Sequence, residues 1–313
     1  MNLRRTLTVA ACLLVIAASP FVGEPLVGEN GEFIFWQLRL PRMLMGLVCG
    51  GALSLVGATY QTVFANPLAS ESTVGTLAGA TLGAVLAVVF GLGAGVAGLP
   101  SIALCAFAGA LAVTLILTAI ASSGRASVNS VLLAGIAISL MASALSTGLQ
   151  YTADLNSMFT AARWSLGHLQ QMRYDGILIM LPFVMPSCAL LLMQTRALEA
   201  LSGGEERAHS QGVDVARLRA LTLGAGALAV AAVVAWCGPI AFVGLIVPHL
   251  TRLTMGASRR VLLPYSVLLG GAFLVACDTL ARAAMPGREL PVGVVTAALG
   301  APALVWLVAR RRG

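Results

Sequence analysis

The sequence predicts an all-α, polytopic membrane protein of about ten transmembrane helices, and three observations carry that prediction. Of 313 residues, 58% are hydrophobic and 10% charged, whereas soluble chains carry about 25% charged residues. Apolar runs long enough for a span, roughly 20 residues each, recur along the whole chain. The basic residues fall mainly in one set of the breaks between those runs. This length leaves no room for a separate soluble domain of ordinary size, so residues 1–313 read as one transmembrane domain.

The chain starts MNLRR and continues into an apolar run at 6–20. That start resembles a secretory signal peptide, but the polytopic remainder favours an uncleaved first span. Further runs follow at 36–64, 68–91, 99–121, 129–152 and 174–195. After a polar break at 196–219 come runs at 220–237, 240–255, 262–284 and 291–309. The 36–64 run is long enough to tilt or to extend beyond the bilayer. The 240–255 run is short enough for a half-length or broken helix. Asn66-Pro67, a good N-cap followed by the residue favoured at the first helical position, marks the start of the third span. Within the polar break, 205–217 reads as a short amphipathic helix, a turn at Gly212 and a second short helix. Gly46 and Gly50, and Gly75, Gly79 and Gly83, recur every four residues, a spacing that lets helix backbones approach closely in lipid.

The positive charges orient these runs. With the N-terminus in the cytoplasm, the inner segments hold 13 of the 19 arginines and the outer ones hold Arg39, Arg42, Arg163, Arg173, Arg282 and Arg288. That asymmetry places both termini inside.

Much chemistry is excluded. The net charge is +7, yet there is no lysine, so neither a phosphate-binding P-loop nor a lysine Schiff base can form. The arginines are dispersed between apolar runs, which is not a nucleic-acid footprint. The six cysteines lie inside apolar runs with no CxxC spacing and read as small buried residues. His168, His209 and His249 are far apart, so no metal site is expected. Gly93–Gly98 matches GxGxxG but lies in an uncharged loop between two spans, without the strand and the acid a dinucleotide site needs. Leu201-Ser202-Gly203-Gly204-Glu205 resembles the signature of ABC ATPases, which works only beside a P-loop; here it reads as a helix break. There is no GxSxG elbow. No catalytic residue, cofactor or covalent chemistry is expected of this chain. Asp278 and Arg282, four apart, share a helix face.

Taken together, the motifs carry a family resemblance. Arg39-Leu40-Pro41-Arg42 leads into a glycine-rich span and then Gln61, Asn66 and Pro67. Leu133-Ala134-Gly135 and the Glu206–Gly212 loop come later. Gly238-Pro239-Ile240 continues to Pro248-His249, and Glu289-Leu290-Pro291 and Gly300-Ala301-Pro302 stand near the end. This combination resembles the FecCD-type permeases, the membrane subunits of ABC importers for iron chelates, haem and vitamin B12. The resemblance runs from about residue 36 to the C-terminus.

It implies a BtuC-like fold with inverted repeats before and after the sixth span. It also implies a homodimer or a pair with a paralogous permease, two ATPase subunits on the cytoplasmic face, and a periplasmic binding protein on the outer face of the bacterial inner membrane. Matched residue by residue, Glu206, Ala208, Gly212, Val213 and Asp214 fall in the coupling helices, about 198–219. Arg39, Arg42 and Arg282 match outward arginines that receive acidic side chains of the binding protein. Ser127, Val128, Asn129 and Ser130 match the cytoplasmic gate. A path lined by spans five and ten would present small residues such as Ser139, Ser143, Ser146 and Thr147. Arg163, Arg173 and Arg288 are left as headgroup anchors. The competing class is a secondary transporter driven by an ion gradient, which would carry intramembrane acids or histidines; Asp278 and Glu71 are the near candidates.

Overall fold

In a computed structural model, the regular elements among the described residues are all helices; these residues are 3–23, 31–93, 95, 99–122, 128–169, 173–285 and 289–310. The chain begins with α1 (Leu3–Ala18) and α2 (Gly31–Phe33). A π-helical stretch, Ile34–Arg39, then leads into α3 (Leu40–Val63). Next come α4 (Thr76–Val89), α5 (Ser101–Ser122), α6 (Val128–Thr152), α7 (Leu155–Ser165) and α8 (Asp175–Met193). Two short helices, α9 (Thr195–Leu201) and α10 (Glu205–Ser210), precede α11 (Val215–Cys237), α12 (Val243–Thr254), α13 (Arg259–Ala283) and α14 (Val292–Arg310).

Among the described residues, seven helices are long and apolar enough to cross a membrane, at Leu3–Phe21, Gly31–Val63, Ser101–Ala121, Ser130–Thr152, Asp175–Met193, Val215–Cys237 and Arg259–Ala283. Thr76–Val89 and Val292–Trp306 are shorter. The 240–255 run, read as a half-length or broken helix, is half-length: α12 is one helix of 12 residues.

The spans sort into a centre and a periphery. Within the span Gly31–Val63, 78% of the most apolar stretch is buried, against 11% for the first span. Helix α3 packs along α13, α4 along α5, and α11 against α5 and α8. Lipid gives helices no hydrophobic reason to associate, so close backbone approach takes over. A Cβ on Gly50 would stand 2.2 Å from the Gly270 carbonyl oxygen, and one on Gly79 would stand 2.5 Å from that of Gly109. The four-residue glycine spacing is therefore a packing device.

Two local expectations change. The third span does not start at Asn66-Pro67. The Asn66 side chain accepts from Leu68 N at 2.9 Å, and Ser70 N donates to Thr73 Oγ1 at 2.8 Å. These side chains compete with helical bonding. The chain turns through 65–75 until Gly75, at φ +87°, precedes α4. Nor is there a second short helix after Gly212. The residues from Val215 onward are the first turn of the 23-residue α11. Gate residue Ser127, together with Glu24, Glu29, Ala94, 96–98, Arg125, Arg288, Arg311 and Arg312, lies outside the described residues.

Candidate functional site

Helices α3 and α13 run antiparallel and hold an ionic cluster at one end. Arg42, in the first turn of α3, is buried; its Nε donates to both Asp278 oxygens at 2.9 Å. One Nη atom of Arg42 lies 2.8 Å from Asp278 Oδ1, and the other lies 2.7 Å from Glu289 Oε2. Arg282, one turn beyond Asp278, places its Nε 3.3 Å from Asp278 Oδ2 and donates to the Ser19 and Val22 carbonyls. Arg39 donates to the Pro20 carbonyl at 3.1 Å. The three arginines singled out for docking thus converge, and they tie the end of α1 to α3 and α13. Arg42 and Arg282 share the Asp278 carboxylate, and Arg42 also takes that of Glu289.

A cavity of about 350 Å³ opens beside this cluster, between α7 and the start of α14. Arg42, Arg163, Trp164, His168, Glu289 and Leu290 contribute to its wall. His168 donates its backbone N–H to the Cys237 carbonyl at 2.7 Å, while its buried Nδ1 has no hydrogen-bond partner among the described residues. Burial, with Arg42 and Arg163 nearby, holds this imidazole below the usual histidine range. Arg163 lies 5.8 Å from the centre of the Phe159 ring. Glu289 and His168 were not singled out as partners of the arginines by sequence reasoning.

The residues Gln61, Gly238, Pro239, Pro248 and His249 cluster around α12. Gln61 Nε2 donates to the Gly244 and Leu245 carbonyls at 3.3 and 3.2 Å, and its Oε1 accepts from Arg252 at 2.6 Å. A Cβ on Gly57 would stand 1.8 Å from the Gly244 oxygen, so α3 and α12 touch backbone to backbone. Glu71, fully buried, sits against Gly244 as well. Gly238 ends α11 at φ +67°, and a side chain there would strike the Trp164 carbonyl. Pro248 is buried inside α12, and His249 is half-buried beside it.

The coupling candidates lie at the other end of α13. Its first residue, Arg259, donates its N–H to Glu199 of α9, and Ser258 Oγ donates to the same carboxylate oxygen at 3.1 Å. Since α13 has 25 residues, this end is about 37 Å from Ala283. Gly203 and Gly204 separate α9 from α10. Glu206 is exposed on α10 and Ala208 is fully buried. Gly212, at φ +75°, makes the turn, and Val213 N donates back to the Ala208 carbonyl at 3.0 Å. Asp214 caps α11 by accepting from Arg217 N at 3.0 Å. Glu205 pairs with Arg219 at 2.5 Å on the surface.

The path candidates lie on α6 but do not share one environment. Ser143 and Thr147 are exposed, Ser139 is half-buried, and Ser146 is buried. Ser139, Ser146 and Thr147 each donate to the carbonyl four residues back, at 2.8–3.0 Å. Of the gate candidates, Val128 and Asn129 open α6 and Ser130 is exposed in its first turn.

The sequence profile of the FecCD transport family matches residues 6–310. The cobalamin import system permease protein BtuC of Halobacterium salinarum is 40% identical over 291 residues, covering 91% of this chain and 76% of that protein. The hemin transport system permease protein HmuU of Yersinia pestis is 39% identical, covering 89% of this chain and 84% of that protein. A metal-chelate type ABC transporter solved in an inward-facing conformation superposes with a TM-score of 0.87 at 28% identity, covering 97% of this chain and 99% of that one. On its spans, its motifs and these matches, the chain belongs to the FecCD transport family.

Proposed function

We propose that the chain is the transmembrane permease subunit of an ATP-binding-cassette importer. It would move an iron chelate, haem or cobalamin from a periplasmic binding protein to the cytoplasm. The observation that carries this reading is the family match across almost the whole chain, on a bundle whose conspicuous polar features stand at opposite ends. A partner supplies the ATP hydrolysis, because a chain without lysine has no P-loop. The α9–α10 loop receives that partner: Glu206 is exposed for contact, while Ala208 and Asp214 fix the loop to the bundle. The Arg39–Arg42–Arg282 cluster faces the binding protein and presents guanidinium groups to its acidic side chains. The exposed apolar face of α6, with Leu133, Ile136, Leu140 and Leu145, supports pairing with a second permease copy. Hydroxyls folded back onto the α6 backbone suit a wall that lets a bulky ligand pass with few contacts.

The test is reconstitution, in nanodiscs for hydrolysis and in sealed proteoliposomes for uptake. The chain alone should hydrolyse no ATP, and hydrolysis should appear with an ATPase subunit and rise with a loaded binding protein. Uptake of haem, a ferric siderophore and cobalamin, compared side by side, assigns the substrate. Hydrolysis by the purified chain, or uptake driven by an ion gradient without ATP, overturns the reading. Glu206→Arg should uncouple hydrolysis from uptake; unchanged transport removes that role.

A further inference from the structure

Three sulfur atoms lie close together inside the bundle. Cys49 of α3 places its Sγ 3.6 Å from Cys237 Sγ, at the end of α11. The Cys49 thiol also points at Met180 Sδ of α8, 3.9 Å away. All three residues are fully buried. The transport reading makes no use of them, and buried cysteines are ordinarily inert packing. Two sulfurs flanking a third, from three different helices, are a different arrangement.

We infer that Cys49, Met180 and Cys237 form a binding site for a soft, thiophilic metal cation such as Cd(II) or Ag(I). Spacing is the first argument. With zinc's metal–sulfur bonds of about 2.3 Å, tetrahedral geometry separates ligand sulfurs by about 3.8 Å, and the longer bonds of larger soft ions need somewhat more. The separations from Cys49, 3.6 and 3.9 Å, reach that range by an outward shift of a few tenths of an ångström. The donor set is the second. Thiolate and thioether sulfur select soft ions over hard ones, and among the described residues no third His, Cys, Asp or Glu joins the pair. Access is the third. An apolar cleft of about 120 Å³ between α5, α8 and α11 has Met180 and Trp236, the neighbour of Cys237, in its wall. The thioether is then the first sulfur an incoming ion meets.

Charge dictates the stoichiometry of binding. A net charge in this apolar interior would cost several kcal/mol, and the two thiols are the ligands able to cancel the ion's charge. The number of protons released therefore equals the ion's charge: two for Cd(II), one for Ag(I). The bound ion joins α3, α8 and α11, so it stiffens the core of the subunit.

The experiment uses the full chain in nanodiscs with Cys12, Cys105, Cys188 and Cys277 replaced by Ala, its helicity and melting compared with the native chain. Titration with Cd(II) should show one ion bound per chain, two protons released, a sulfur-to-metal charge-transfer band and a higher melting temperature. Ag(I) should release one proton. Cys49→Ala and Cys237→Ala should each abolish the band, and Met180→Leu should weaken Cd(II) binding by about tenfold or more. If the fourfold variant does not fold, the native chain and its Cys49→Ala variant give the same reading by difference. Absence of binding to the folded chain overturns the site. So does parent affinity in Cys49→Ala, or in Met180→Leu.

Discussion

The two ends of α13 solve the same problem in opposite ways. At one end Arg42 is buried and held by two carboxylates of its own chain. At the other, Glu205 and Arg219 pair across the surface of the α9–α10 loop, with the Glu205 side chain 53% exposed. A buried charge must find its partners within the fold, whereas an exposed one stays available to another protein. The first arrangement fixes the architecture and the second leaves a surface to be read. This also refines the docking proposal: Arg42 holds the cluster in place, and half-buried Arg39 is its more accessible member.

The comparison can be broken by removing one acid from each end. Asp278→Ala strands Arg42 and Arg282 together and should cost about 3–5 kcal/mol, read as a large loss of thermal stability in detergent. A loss below about 1 kcal/mol would mean that water reaches the cluster. Gln61→Leu removes the link from α3 to α12 and Arg252, and should cost about 1–3 kcal/mol in the same assay. His168 gives a smaller effect that depends on pH. Its folded-state pKa is depressed, so the unfolded chain binds the proton more readily. Its stabilising contribution is full above about pH 6.5 and is lost as pH falls below that value. The melting temperature of the native chain should therefore fall more steeply below about pH 6.5 than that of His168→Gln. Glu205→Ala should change stability by less than about 1 kcal/mol. A larger loss would show that the loop is held as firmly as the outer cluster.

Periodic and local features were legible in the sequence. The apolar runs became helices, the short run became the half-length α12, and Asp278 and Arg282 pair across one helical turn as their spacing requires. Partners distant in sequence were not legible. Arg42 meets Asp278 across 236 positions, and no periodicity links them. The start of α4 was missed because the run 68–91 looks continuous by hydropathy. Hydroxyl and amide side chains at 66–73 turn the backbone there, and apolarity does not register them. The helix after Gly212 was read as short because its polar first turn conceals the apolar residues that carry it on as α11. For the α9–α10 loop, charge and glycine located the segment, while the anchoring of α13 to Glu199 depended on tertiary structure.

That anchoring gives α13 a mechanical character. It is a continuous helix about 37 Å long, pinned to α9 at its first residue and to the arginine cluster near its last. A rod held at both ends acts as a lever. A tilt of about 5° displaces its far end by about 3 Å, with no residue along it changing conformation. A push on the α9–α10 loop would thus reach the opposite end of the bundle as a displacement of Asp278, the charge that holds Arg42.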